Sequence, residues 1–336
     1  MRPAISVIIT EYWPRNFLKY AVRSVLNQTL DKRLYELIVV KRFRNPEIDR
    51  LIESYGGKVI ILDDAPVGHY LAVGVNESDG EVVAFLDDDD AFISRKLEYV
   101  YKHVCGKDDV RYYHHLAYVI DGQNKLLGKS FGGPSRTIVI NPRARGEVKR
   151  VLRKHGLIGS LMSATVIRRE LIIEYLRLLE TIVAGPDTFM FLALLNSNYL
   201  VVREPLNLSF YRVHGQQASL PWGTSPREVL IRFARQAMLN QHGFHQLSIA
   251  FPIIKDLPLR HNPLGGYHYN VLGLMVFGLN RKLIASTGLI ALWRGLFDKS
   301  IWRVLAGLLG ITYVAIPRKV VKALLLKYYE KRLAHG

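Results

Sequence analysis

The chain has 336 residues, of which 49% are hydrophobic and 22% charged, enough apolar side chains for one large domain or two ordinary ones, so intrinsic disorder is excluded as its main state. Its single cysteine, Cys105, excludes a disulfide scaffold and a multi-cysteine zinc site, and it indicates a reducing compartment. The formal net charge of +17 predicts a polyanionic partner, such as nucleic acid, an anionic membrane surface or a phosphorylated substrate.

Short apolar runs near the start of the chain predict buried strands. They occupy residues 5–9, 37–40, 59–62 and 82–86. Helical spacing of apolar residues between these runs predicts helices that begin near Pro14, Ile48 and Leu71, and a further helix is predicted after Ser94 as its N-cap. Strands that alternate with helices indicate a parallel sheet, whose ligands bind beyond the carboxyl ends of the strands.

The middle of the chain predicts a second group of elements. They are strands within residues 111–140, helices at about 168–180 and 187–196, and a strand near 199–202. The basic stretch 143–154 has two interpretations, a solvated surface or a mobile loop over an anionic substrate. A change of composition near Pro221 marks the end of this region.

Four consecutive aspartates, Asp87 to Asp90, directly follow the predicted strand at 82–86. Adjacent like charges repel each other, so the cluster destabilises the fold unless a cation neutralises it. Mg²⁺ or Mn²⁺ suits this cluster, because both prefer oxygen ligands and take the remaining ligands from water and phosphates. An extended chain would turn Asp87 and Asp89 to one side and Asp88 and Asp90 to the other. A solvated acidic turn is the alternative interpretation.

Residues 80–90, GEVVAFLDDDD, closely resemble the strand and DxD motif of family-two glycosyltransferases of the GT-A fold. Further segments that resemble this family follow its order. They are SVIIT at 6–10 with SVLNQT at 24–29, ELIVV at 36–40, and GPD at 185–187 followed by YRVH at 211–214. The resemblance covers about residues 4–220 and implies an α/β fold with a Rossmann-like, doubly wound mixed sheet. It divides the catalytic domain 1–220 into a nucleotide-sugar-binding half, 1–110, and an acceptor-binding half, 111–220, ahead of a helical region at 221–336.

The resemblance implies transfer of a sugar from a nucleotide diphosphate sugar to a hydroxyl acceptor, with inversion at the anomeric carbon. Asp187 matches the family's general base, and its position also suits a helix N-cap. A metal ion on Asp87 and Asp89 would neutralise the leaving diphosphate, and His214 is either a further ligand or a structural residue. Residues expected to contact the nucleotide are Thr10, Glu11, Tyr12, Lys41, Asp64, Asp88 and Arg212, the last of which alternatively pairs with a carboxylate.

The sequence departs from the family pattern where the nucleobase is recognised. The family's second strand usually ends in Asp-Asp-Gly-Ser, but Lys41 follows Val40 here, and a lysine cannot accept a hydrogen bond from a base N–H. Glu11, Asp63 and Asp64 are the candidate replacements, and the donor is expected to be a UDP- or GDP-sugar. A non-catalytic protein that binds a sugar nucleotide is the alternative.

Residues 267–336 carry 11 Lys and Arg but 2 Asp and Glu, interleaved with Trp, Tyr and Leu. This pattern favours helices in an anionic membrane interface or, equally, an ordinary helical subdomain. No apolar run predicts a confident membrane span, and no secretory signal is predicted. We therefore expect a peripheral enzyme at the cytoplasmic face of the membrane, with a glycan or lipid-linked acceptor. A nucleotidylyltransferase and a nucleic-acid-binding protein are disfavoured, because their sequence signatures are missing.

Overall fold

The computed structural model describes residues 2–214 except 108, 132–135, 145, 149, 152–160, 196 and 198, together with scattered residues between 285 and 323. The chain divides into two compact units, Met1–Val213 with Ile249–Asp256, and His214–Ser248 with Leu257–Gly336. The predicted domain boundary at residue 220 lies outside the described residues, and so does much of the basic stretch 143–154.

Four parallel strands form the first half of the sheet, in the order β3-β2-β1-β4. They are β1 (Ile5–Glu11), β2 (Tyr35–Lys41), β3 (Lys58–Ile61) and β4 (Val82–Asp87). Strands β1, β2 and β4 are buried along nearly their whole length, which explains their continuous aliphatic sequences. All four strands confirm the prediction to within two residues at each end.

Helices cover both faces of this parallel half. They are α1 (Leu18–Leu26), α2 (Pro46–Ser54), α3 (Val67–Asn76) and α4 (Lys96–His103). Leu37 and Val39 of β2 share a core with α1, α2 and α4, whereas Ile38 and Val40 pack against Tyr70 of α3. This alternation along one strand confirms a doubly wound sheet. The predicted cap of α4 is wrong, because Arg95 rather than Ser94 precedes its first residue.

The second half of the sheet is mixed. It contains β5 (Ala91–Phe92), β6 (Val110–Asp121), β7 (Leu126–Phe131), β8 (Ile138–Ile140), β9 (Thr165–Arg168) and β10 (Leu200–Val213). Strand β9 lies antiparallel to both β4 and β6 and so joins the two halves. Strand β10 is far longer than predicted, because register shifts between Arg203 and Ser209 interrupt its pattern.

Three short helices follow, α5 (Arg169–Glu174), α6 (Leu176–Leu179) and α7 (Pro186–Leu195). Helices α5 and α6 lie against α3, and α7 lies against β6. The single helix predicted at 168–180 is therefore two helices, separated at Tyr175. In the second unit, the described residues between 285 and 323 are helical, and Gly307 lies against the backbone of Leu292, where a Cβ would not fit. None of the helices in the described part of the chain is long and apolar enough to cross a membrane.

Candidate active site

The carboxyl ends of the parallel strands bring the predicted donor-binding residues to one edge of the sheet. Thr10 pairs with Asp87 across β1 and β4, and Glu11 pairs with Lys41 across β1 and β2. Strand β3 ends at Ile61 on the far side of β2, so Asp64 follows at the same edge. Ligand sites of open α/β sheets lie at this edge, because the chain leaves every strand there.

The four aspartates do not continue the strand. Strand β4 ends at Asp87, and Asp88 and Asp89 form a turn that is closed by a 3.2 Å hydrogen bond from the Asp90 N–H to the Asp87 carbonyl. The predicted alternation of side chains is therefore wrong, because it required an extended backbone. The turn separates the four carboxylates into different surroundings.

Asp90 faces the protein interior and is 1% exposed. Its Oδ2 accepts a 2.6 Å hydrogen bond from the Ser163 hydroxyl, and its Oδ1 accepts one of 2.9 Å from the Arg212 backbone N–H. Burial, followed by the charges of Asp89 and Asp87, raises the pKa of Asp90 well above its usual range. Asp90 thus joins the end of β4 to β10 and to the 3-10 helix Met162–Ala164.

Asp88 and Asp89 both contact Arg15, which lies in the loop between β1 and α1. Arg15 Nη1 is 2.6 Å from Asp89 Oδ2 and 3.4 Å from Asp88 Oδ1, and all three side chains are at most 13% exposed. Burial and the charge of Asp89 raise the pKa of Asp88, and the charge of Arg15 lowers it. Sequence reasoning missed Arg15, because it is one of 46 Lys and Arg and belongs to no motif.

Asp187 is the second residue of α7, just after Gly185, which adopts a φ of +68°. Its Oδ1 accepts a 2.8 Å hydrogen bond from the Thr188 N–H, as expected at a helix N-terminus. Burial raises the pKa of Asp187 to about 6, although this hydrogen bond acts in the opposite direction. Burial, and then the charges of Asp89 and Asp187, raise the pKa of Asp87 to about 7. The structure therefore brings Asp187 within electrostatic reach of the acidic turn.

Two cations that the sequence predicts to contact the nucleotide have protein partners in the structure. Lys41 is fully buried in an ion pair with Asp49 of α2. The Arg212 guanidinium donates to the Asp89 carbonyl at 2.6 Å and to Asn124 Oδ1 at 2.7 Å. Both side chains are buried, which favours structural roles.

Aromatic and charged side chains surround the outer end of β3. The Tyr12 hydroxyl donates to Asp64 Oδ1 at 2.5 Å, and Arg42 Nη1 lies 3.2 Å from the same oxygen. The Asp64 side chain is 60% exposed, whereas Glu11 is only 5% exposed. Burial also raises the pKa of Glu11 to about 7. Among the candidate acceptors for the base, Asp63 and Asp64 are therefore exposed and Glu11 is buried.

A divalent cation would find few protein ligands here. Among the described residues, no three His, Cys, Asp or Glu side chains lie close enough together to hold a metal ion. The metal site predicted at Asp87, Asp89 and His214 therefore stays a prediction. His214 is half-buried directly after β10. The residues still suit a cation that takes most of its ligands from water and phosphate, because Asp88 Oδ2 is buried without a hydrogen-bond partner in the described part of the structure.

Comparisons with known proteins concern the family and the fold of the chain. The family model "Glycosyl transferase family 2" matches residues 6–176, which include the acidic turn but not Asp187. The chain is 26% identical over 273 residues to the minor teichoic acid biosynthesis protein GgaA of Bacillus subtilis, which covers 76% of this chain and 58% of that protein. It is 27% identical over 133 residues to an uncharacterized glycosyltransferase of Methanocaldococcus jannaschii, which covers 38% of this chain and 46% of that protein. The chain thus spans about half the length of these curated relatives.

The fold is similar to that of S. aureus TarS 1-349, whose crystal structure contains UDP-GlcNAc. The TM-score is 0.52 at 15% sequence identity, and the match covers 92% of this chain and 91% of that chain. A likeness at this identity concerns the fold alone. It confirms the GT-A type of mixed sheet that the sequence predicts.

Proposed function

Because the chain belongs to glycosyl transferase family 2, we propose that it transfers a sugar from a nucleoside diphosphate sugar to a hydroxyl group, with inversion at the anomeric carbon. One observation carries this proposal. Asp187, whose pKa of about 6 suits a general base near neutral pH, lies within electrostatic reach of Asp87, directly before the acidic turn Asp88–Asp89.

Asp187 acts on the acceptor in the proposed reaction. Its carboxylate takes the proton of the acceptor hydroxyl while the oxygen of that hydroxyl forms a bond to the anomeric carbon. The bond from that carbon to the diphosphate oxygen breaks, and the nucleoside diphosphate leaves with the electron pair. Attack opposite the leaving group inverts the configuration. At pH 7 most of Asp187 is ionised, since its pKa is about 6.

The acidic turn serves the donor. Asp87 and Asp89 would hold Mn²⁺ or Mg²⁺, with His214 as a further candidate ligand, and a bound cation neutralises charge on the leaving diphosphate. The unpaired, buried Asp88 Oδ2 supports a cation at this turn. Ser163 and Arg212 hold Asp90 in place, so the end of β4 presents the turn in one orientation.

Asp64 is our candidate for the residue that recognises the nucleobase. Its Oδ1 already accepts a hydrogen bond from the Tyr12 hydroxyl and pairs with Arg42, while no described group bonds to Oδ2. One available acceptor oxygen matches the single ring N–H of uracil better than the two adjacent N–H donors of guanine. We therefore favour a UDP-sugar as the donor. Trp13 and Phe43, which are 47% and 38% exposed, offer aromatic faces nearby in the chain.

The acceptor in this proposal is a glycan or lipid-linked hydroxyl at the cytoplasmic face of a membrane. The basic C-terminal sequence supports it, as do the exposed side chains of Leu289, Leu296 and Leu308. Flotation of the full chain with phosphatidylcholine vesicles, with and without phosphatidylglycerol, tests the membrane contact. We expect binding only to the anionic vesicles, and no binding to either kind contradicts it.

Release of nucleoside diphosphate from a panel of UDP- and GDP-sugars with Mn²⁺ tests the reaction. We expect Asp187→Asn to lower turnover by about 10²–10⁴-fold and to leave UDP binding intact, because it removes only the base. Glu180→Gln, which changes an exposed carboxylate directly after α6, is the control. Full turnover by Asp187→Asn would show that another group is the base. A wild-type protein that binds UDP but releases nothing from any donor would instead be the non-catalytic alternative.

A further inference from the structure

Arg15 is a cation that contacts the side chains of Asp88 and Asp89 in the acidic turn. Its charge lowers the pKa values of Asp88, Asp87 and Glu11, each of which is raised by burial. Its Nη1 bonds to Asp89 and lies near Asp88, and no contact to a third described group accompanies these two. The guanidinium therefore neutralises carboxylates that would otherwise repel each other in a site with little solvent.

The position of Arg15 differs from that of Arg212, a second described guanidinium beside the turn. Arg212 belongs to β10, bonds to the carbonyls of Asp89 and Asp121, and lies over the ring of Phe17. Arg15 lies on the loop between β1 and α1, and both of its ion-pair partners are side chains. Arg212 is part of the scaffold, whereas Arg15 can leave the turn without breaking a backbone contact.

We propose that Arg15 is an exchangeable counter-cation. It neutralises Asp88 and Asp89 in the donor-free enzyme, and it moves to the diphosphate of the donor when a divalent cation takes the carboxylates. This inference rests on the proposed function, since it concerns the metal and the donor of that same site. It makes Arg15 a donor-binding residue that no motif of the sequence indicates.

Competition follows from the chemistry of the carboxylates. The Asp89 oxygen that accepts from Arg15 at 2.6 Å is an oxygen that a metal ion would use, and two cations on one oxygen repel each other. A displaced guanidinium needs another anion, and its planar set of N–H donors fits phosphate oxygens well. The diphosphate of a donor held at this turn is such an anion.

The proposal predicts opposite effects of one substitution on two ligands. Without Arg15, Mn²⁺ meets one competing cation fewer at Asp88 and Asp89, so Arg15→Ala should bind Mn²⁺ about tenfold more tightly than wild type in the absence of a nucleotide. The diphosphate loses a charged donor, so Arg15→Ala should bind UDP, in saturating Mn²⁺, at least about tenfold more weakly. A merely structural arginine would not move the two affinities in opposite directions.

The measurements are titration of free Mn²⁺ by electron paramagnetic resonance and of UDP by calorimetry, both on the full chain. Arg15→Gln removes the charge but keeps a polar side chain, and it should also bind Mn²⁺ more tightly and UDP more weakly than wild type. It replaces Arg15→Ala if that variant does not fold. Arg23→Ala removes an exposed arginine of α1 and should change neither constant.

The outcomes separate this inference from the proposed metal site. Mn²⁺ binding with equal constants in wild type and both Arg15 variants overturns the exchange and leaves the metal site standing. A loss of Mn²⁺ affinity in those variants overturns the exchange as well. If no protein binds Mn²⁺, with or without UDP, the proposed metal site fails and the exchange fails with it.

Discussion

At the edge of the sheet around the acidic turn, buried carboxylates and cations pair in two ways, which we call the inner side and the outer side. On the inner side, Lys41 pairs with Asp49, and Asp90 receives hydrogen bonds from Ser163 and the Arg212 backbone. On the outer side, Asp88 and Asp89 share Arg15, and Asp187 receives its hydrogen bond from the neighbouring Thr188 N–H. The role of a buried carboxylate beside a cation, structural or functional, therefore depends on which part of the fold holds the cation.

The partners on the inner side are fixed by secondary structure. Lys41 ends β2 and Asp49 lies in α2, so neither can move away without disturbing an element. Arg15 lies in a loop, and Asp88 and Asp89 lie in a turn. The inner side should therefore control stability, and the outer side should control ligand binding and turnover.

The largest expected effect on stability is at Lys41. Lys41→Met leaves Asp49 buried without its cation and should lower the free energy of unfolding by about 3–5 kcal/mol, measured by urea denaturation. The double variant Lys41→Met with Asp49→Leu should regain most of this loss, since it removes both charges. A single variant as stable as wild type would mean that Lys41 is not part of the inner side.

A smaller loss in the free energy of unfolding is expected at Asp90, which can be compared with Asp88 two residues earlier in the chain. Asp90→Ala leaves the Ser163 hydroxyl and the Arg212 N–H without their acceptor and should cost about 3 kcal/mol. Asp88→Ala removes a repelling charge and should change the free energy of unfolding by less than about 1 kcal/mol. Urea denaturation measures the free energy of unfolding of both variants. Equal losses in the two variants would contradict the assignment of Asp90 to stability and of Asp88 to ligand binding.

The smallest and most gradual effect is the dependence of turnover on pH. Because the base must be ionised and the pKa of Asp187 is about 6, turnover should fall by about tenfold for each pH unit below 6. Glu180→Gln should keep this profile. Turnover that stays constant down to pH 5 would contradict the role of Asp187.

The raised pKa of Asp187 affects the stability of the fold in the opposite direction to its effect on turnover. The folded-state pKa lies above the ordinary value of 3.8, so the folded protein holds this proton more tightly than the unfolded chain. The contribution of Asp187 to stability is therefore full below about pH 4 and declines as the pH rises through 6. A group on the outer side thus becomes active at the pH where it no longer stabilises the fold.

Much of the donor half was predictable, because its signals are local. Continuous aliphatic runs located β1 to β4, and the acidic run marked the end of β4. Asp187 was indicated by a short motif that resembles the family, and its role stays a prediction. The mixed half was predicted less well, because β9 has only four residues and the register of β10 is interrupted.

The sequence by itself determined the order of strands and helices, and the acidic character of the end of β4, since both depend on neighbouring residues. Only the tertiary structure decided which aspartate is structural and which cation pairs with which carboxylate. The Arg15–Asp89 contact joins residues 74 positions apart, and the contact from Arg212 to Asp90 joins residues 122 positions apart. Partners so distant in the chain are selected by the packing of strands and loops, which no local pattern encodes.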